Sequence, residues 1–149
     1  MSFVVGGQLL IKTRYLRVNG DFMNVESGAL VDTTGTGHAP GQGPGGSVGN
    51  LGGSYASSGG NVVSGTQYGS IYRPNEPGSG GGYGAGGGWL EIDVGRKLVV
   101  DGWIKADGVS SPSSLGAGSG GSIILKTSYL QGHGTVQTSG GNIMHYCYV

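Results

Sequence analysis

The chain has 149 residues, 36 of them glycine, and eight basic residues balance eight acidic ones for a formal net charge of zero. Glycine far above the usual share of about 7% would suit collagen. The five prolines and the lack of glycine at every third residue along the chain exclude a triple helix. Zero net charge gives little steering toward phosphate, so nucleic acid is not an expected partner. Only 11% of residues are charged while β-branched and aromatic runs are present, a composition that argues against general disorder.

From the N-terminus, Phe3-Val4-Val5 opens as a strand, and Leu10 to Gly20 follows as a longer one after Gly6-Gly7. Lys-Thr-x-Tyr-Leu at Lys12–Leu16 recurs at Lys126–Leu130, and Trp89–Gly102 repeats the same plan after Gly86-Gly87-Gly88. Each copy is followed by a short strand closed by glycine: Ala29–Gly35, Trp103–Gly108 and Thr135–Gly140. Alternation such as Leu90, Ile92, Val94 has the period of a half-buried strand, and no helical stripe of useful length exists. The expected core is Leu10, Leu16, Phe22, Leu30, Ile92, Leu98, Ile104, Ile123, Leu125, Leu130 and Val136.

The organisation expected is one unit over 1–149, a piece of a longer repeat protein. It divides into a first strand set at 3–34, a glycine-rich loop region at 35–88, a second set at 89–108, a Gly/Ser loop at 109–121, a third set at 122–141 and a tail at 142–149. The region 35–88 holds 21 glycines in 54 positions and four of the five prolines. A loop of that length inside a compact domain is unusual. Its tyrosines, Tyr55, Tyr68, Tyr72 and Tyr83, point to ordered packing of rings over closely approaching glycine backbone in polyproline-II form. These four are the candidate ligand-contact residues.

Strand repeats entered through Gly-Gly and closed by Gly, together with Gly116-Ala117-Gly118-Ser119-Gly120-Gly121-Ser122-Ile123, resemble rungs of secreted or cell-surface parallel β-helix proteins of the adhesin and autotransporter-passenger kind. The resemblance implies an all-β parallel solenoid, an extracellular or cell-surface location, and a structural or adhesive role without catalysis. Partners implied are further copies or rungs and a polysaccharide or cell-surface ligand. No catalytic residue, cofactor or metal carries over. The alternative reading is a carbohydrate-binding or polysaccharide-cleaving module that uses the aromatic loops and aspartates.

Residue by residue, the chemistry is sparse. Gly-x-Gly-x-x-Gly occurs at Gly41, Gly82 and Gly116, but none sits between a strand and a helix as phosphate binding requires. Asp32 and Asp107 would align if the repeats stack, yet each lies one to three residues before a glycine in ordinary turn chemistry. His38, His133 and His145 are far apart and Cys147 has no partner cysteine, so metal-ligand spacing is missing. Lys12, Arg14, Arg17 and Lys126 read as a basic ladder on one face, and Thr13 as stacking on Thr127. No segment approaches the length of a membrane-spanning helix.

Overall fold

A computed structural model of the chain describes residues 1–10, 13–59, 65–112 and 115–142. Eight strands occur among them and no helix: β1 (Ser2–Val5), β2 (Gln8–Leu10), β3 (Tyr15–Val25), β4 (Leu30–Asp32), β5 (Trp89–Val100), β6 (Trp103–Lys105), β7 (Ser122–Gln131) and β8 (Thr135–Gln137). They form two four-stranded sheets, β1-β3-β5-β7 and β2-β4-β6-β8, in which every pairing is parallel.

The inward residues of the long sheet stack in register: Leu16 on Leu90 on Ile123, Val18 on Ile92 on Leu125, and Met23 on Leu98 on Leu130. Val31 and Ile104 of the short sheet join them in one apolar cluster, with Leu90, Ile92, Leu98 and Ile104 wholly buried. Each such side chain contributes roughly 1.5–3 kcal/mol by leaving water.

A bulge in β5 resets the phase. Gly95 and Arg96 stand opposite the single Asp21 of β3 and the single Ser128 of β7. Across it the inward positions of β3 pass from Leu16 and Val18 to Met23 and Val25, because one extra residue on one strand shifts the alternation of its neighbours. Phe22, expected inside, is therefore half-buried while Met23 and Val25 are buried; in β4 the inward position is Val31, which leaves Leu30, also expected inside, half-buried. Leu130 and Val136 are 58% and 45% exposed, since β7 and β8 are the outermost strands of their sheets. The Leu10 side chain lies outside the described residues.

The expected parallel solenoid is corrected by this topology. The strands make two small parallel sheets that form neither a closed barrel nor a solenoid, and the described residues of 33–88 and 106–121 contribute no strand to either. The reason is a different backbone geometry in the glycine-rich segments. Hydrogen bonds between them recur every three residues: Gly84 and Gly87 N–H donate to Gly116 and Ser119, Gly118 and Gly121 to Val109 and Ala106, and Gly108 and Ser111 to Ser139 and Asn142. Within 76–88, Gly78 N–H donates to Gly87 and Gly81 N–H to Gly84, at 2.8 and 2.9 Å. A β ladder repeats every two residues, whereas an extended threefold backbone of polyproline-II type turns its polar groups outward every third.

Such segments pack backbone on backbone. A Cβ placed on Gly118 would sit 1.9 Å from the Ala85 carbonyl oxygen, and one on Gly81 2.1 Å from that of Ala117. Only glycine allows this approach. The serines between the glycines supply the remaining bonds: Ser79 N–H donates to Ser119 Oγ at 2.8 Å, and Ser47 and Ser54 hydroxyls donate to carbonyls of adjacent segments. Among the described residues no buried side-chain nitrogen or oxygen lacks a partner.

Candidate functional site

Two of the four candidate tyrosines meet. Tyr55 and Tyr68 stand edge to face with ring centres 5.0 Å apart, a favoured arrangement for their quadrupoles. Gly69, at φ +70°, lies against the Tyr55 ring, where a side chain would collide with it. The Tyr68 hydroxyl donates to the Pro77 carbonyl and accepts from Ser79 Oγ at 2.9 Å. Burial pushes the Tyr68 phenol up to about 12, partly opposed by the Ser79 bond. Ser122 Oγ bonds the Glu76 carbonyl at 2.6 Å and the Tyr55 hydroxyl at 2.9 Å, tying the tyrosine pair to the start of β7.

The other two tyrosines stand apart from this pair and from each other's role. Tyr72 is 87% exposed beside Ile71, which is 74% exposed. This tip is held on both sides: Tyr72 and Arg73 N–H donate to Ser70 Oγ, and the Trp89 indole donates to the Pro74 carbonyl at 3.1 Å. Tyr83 is partly exposed at the turn of the 76–88 segment, its N–H donating to Gly116. Ile71, Ser70 and Ser122 were not singled out from sequence. A serine placed directly after a glycine, in Gly69-Ser70 and Gly121-Ser122, is the available signal for these two anchors.

Between the Tyr55–Gly59 and Ser70–Pro74 loops and the Ala117–Ile123 segment opens a cleft of about 640 Å3. Tyr55, Ile71 and Pro74 give it apolar wall, and Ser57, Ser58 and Thr138 give it hydroxyls. No charged side chain lines it among the described residues.

Several charged groups are engaged elsewhere in structural contacts. Glu91, with a side chain only 7% exposed, lies between Lys126 at 2.6 Å and Arg17 at 3.2 Å. Its carboxyl is held below the usual range, chiefly by the Lys126 hydrogen bond. The expected basic ladder is thus an alternation of sign, and Arg14 instead donates to the Gly37 carbonyl; Lys12 lies outside the described residues. Asp32 registers on Lys105, so Asp107 stands two positions further along and does not face it. Asp32 accepts from Thr34 N–H, and Asp107 from Ser139 N–H and Gln137. Asp101 accepts from His133 N–H.

Thr127 registers on Val94, itself opposite Gly20, so Thr13 does not stack on it. His38 is shifted down by burial and then by Arg14. Among the described residues no three His, Cys, Asp or Glu gather to hold a metal ion; His145 and Cys147 lie outside them. Nor is any helix there long and apolar enough to cross a membrane. Comparison with known protein families, curated proteins and solved structures gives no match.

Proposed function

We propose that this chain is a structural and adhesive module of an extracellular or cell-surface assembly, with no reaction of its own. A body packed backbone on backbone has little freedom to deform, and it carries contact loops on fixed anchors. The observation that carries the reading is the Ser70–Arg73 tip, where Ile71 and Tyr72 are 74% and 87% exposed on a loop fastened by Ser70 and by the Trp89–Pro74 bond. Tyrosine and arginine are among the residue types that dominate binding energy at contact surfaces, and Ile71 adds exposed apolar area beside them. The engagement of Asp32, Asp101, Asp107 and Glu91 in backbone and ion-pair contacts favours this over a hydrolytic role.

Retention of the purified chain on whole cells and on polysaccharide-coated beads tests it, with Ile71→Ser/Tyr72→Ser as the variant. Loss of at least tenfold in retention is expected. Retention equal to the parent would remove the tip from the binding surface. Release of reducing ends from a polysaccharide, abolished in Asp107→Ala, would overturn the non-catalytic reading.

A further inference from the structure

The cleft beside the tip has the size, about 640 Å3, of sites that take small ligands. Its chemistry narrows the class. Hydroxyls of Ser57, Ser58 and Thr138 and the glycine backbone of Gly118–Gly121 offer hydrogen bonds, while Tyr55, Ile71 and Pro74 offer apolar surface. A saccharide matches both halves, since its hydroxyls pair with hydroxyl and peptide groups and its C–H face stacks on aromatic and aliphatic surface.

Charge decides between saccharides. With no charged side chain among the described lining residues, a carboxylate or sulfate entering the cleft would lose water without gaining a counter-charge, and so would bind more weakly than a neutral group. The walls are also preformed. Tyr55 is fixed by Tyr68, Gly69 and Ser122, and the Gly118–Gly121 floor is bonded at both Gly118 and Gly121, so a ligand meets little ordering cost.

We infer that this cleft binds a neutral oligosaccharide and supplies the specificity of the adhesive surface. This assignment rests on the adhesive reading above, and the test separates the two. Neutral oligosaccharides of several hexose and N-acetylhexosamine types, and matched sulfated and uronic ones, are titrated onto the full chain by calorimetry and NMR, with cell retention measured in parallel. The expected result is binding of at least one neutral saccharide, at least tenfold weaker binding of its anionic counterpart, and at least tenfold loss in Thr138→Glu and Ser58→Trp. Both positions are exposed, so the variants should fold as the parent does. Val48→Ser, at an exposed position outside the cleft, should leave affinity unchanged.

Preference for anionic saccharides, or binding untouched by both cleft variants, would overturn the assignment. Retention on cells with no saccharide bound would remove the cleft assignment and leave the adhesive reading standing. Saccharide binding lost in the cleft variants but without any retention on cells would do the reverse. Neither activity would sink both.

Discussion

Ser79 Oγ donates to the Tyr68 hydroxyl at 2.9 Å, joining a half-buried phenol of the glycine-rich region to a serine that is itself wholly buried. Tyr68→Phe leaves the Pro77 carbonyl and Ser79 hydroxyl short of a partner and should lower stability by about 1–2 kcal/mol. The pH dependence has a defined sign. The Tyr68 phenol is raised from 10.0 to about 12 in the folded chain, so its contribution is fully present below pH 10 and is lost as pH rises through 12. Urea midpoints between pH 9 and 12 should fall more steeply for the parent than for Tyr68→Phe; parallel curves would show that another group governs the alkaline limb.

Backbone packing predicts a sharp contrast between glycines. At Gly118 an added methyl meets the Ala85 carbonyl at 1.9 Å, whereas at Gly95 nothing stands within 4 Å. Gly118→Ala should destabilise by about 3 kcal/mol or more, because two main chains have to separate. Gly95→Ala should be neutral or gain a few tenths of a kcal/mol from the stiffer unfolded chain, by about the usual glycine effect. Equal midpoints for the two variants would contradict the packing described.

Glu91 sets the acid limb. Its carboxyl titrates below the ordinary range because Lys126 and Arg17 favour the charged form. The stability it gives is present above the unfolded glutamate value and disappears as pH falls through the lower folded one. Since both cations are more than half exposed, Glu91→Gln should cost only about 1 kcal/mol at neutral pH. The variant's thermal midpoint should change less than the parent's between pH 5 and 3, and raised salt should narrow the gap between them.

Leu98 and Leu130 face the same way in adjacent strands, yet one is wholly buried and the other 58% exposed. Leu98→Ala should cost about 2–5 kcal/mol and Leu130→Ala well under half of that. At the opposite edge of the sheet β1 exposes Val4, and with zero net charge little repulsion keeps copies apart. Light scattering should show a mass that rises with concentration, and Leu130→Glu should suppress the rise by placing a charge on the β7 edge. A monomer at millimolar concentration would exclude edge pairing.

The short strands were legible from sequence because Leu30, Trp103 and Thr135 each begin an apolar step after glycine or turn residues, and these three pair in register. The long strands were misaligned. Lys-Thr-x-Tyr-Leu drew Tyr15 onto Tyr129, but register places Tyr15 opposite Trp89 and so opposite Ser122, seven residues earlier. Identity of side chains misled where the inward pattern of Leu16, Leu90 and Ile123 decides. Among the described residues of 35–88, Tyr55 packs on Tyr68 and against Gly69, while the cleft is not legible in the sequence because its walls come from loops that the three-residue ladders bring together.

Those ladders also govern how the sequence can change length. Where Gly84 and Gly87 bond Gly116 and Ser119, and Gly118 and Gly121 bond Val109 and Ala106, each residue inserted rotates everything beyond it by about a third of a turn. One added residue between Gly118 and Gly121 would turn serine or alanine toward the carbonyls that glycine now meets. Three added residues restore the phase and lengthen the segment by one turn, about 9 Å. Length variation in this body is therefore quantised in threes, while the tip at Ser70–Arg73, which lies off the ladders, is free to vary by single residues.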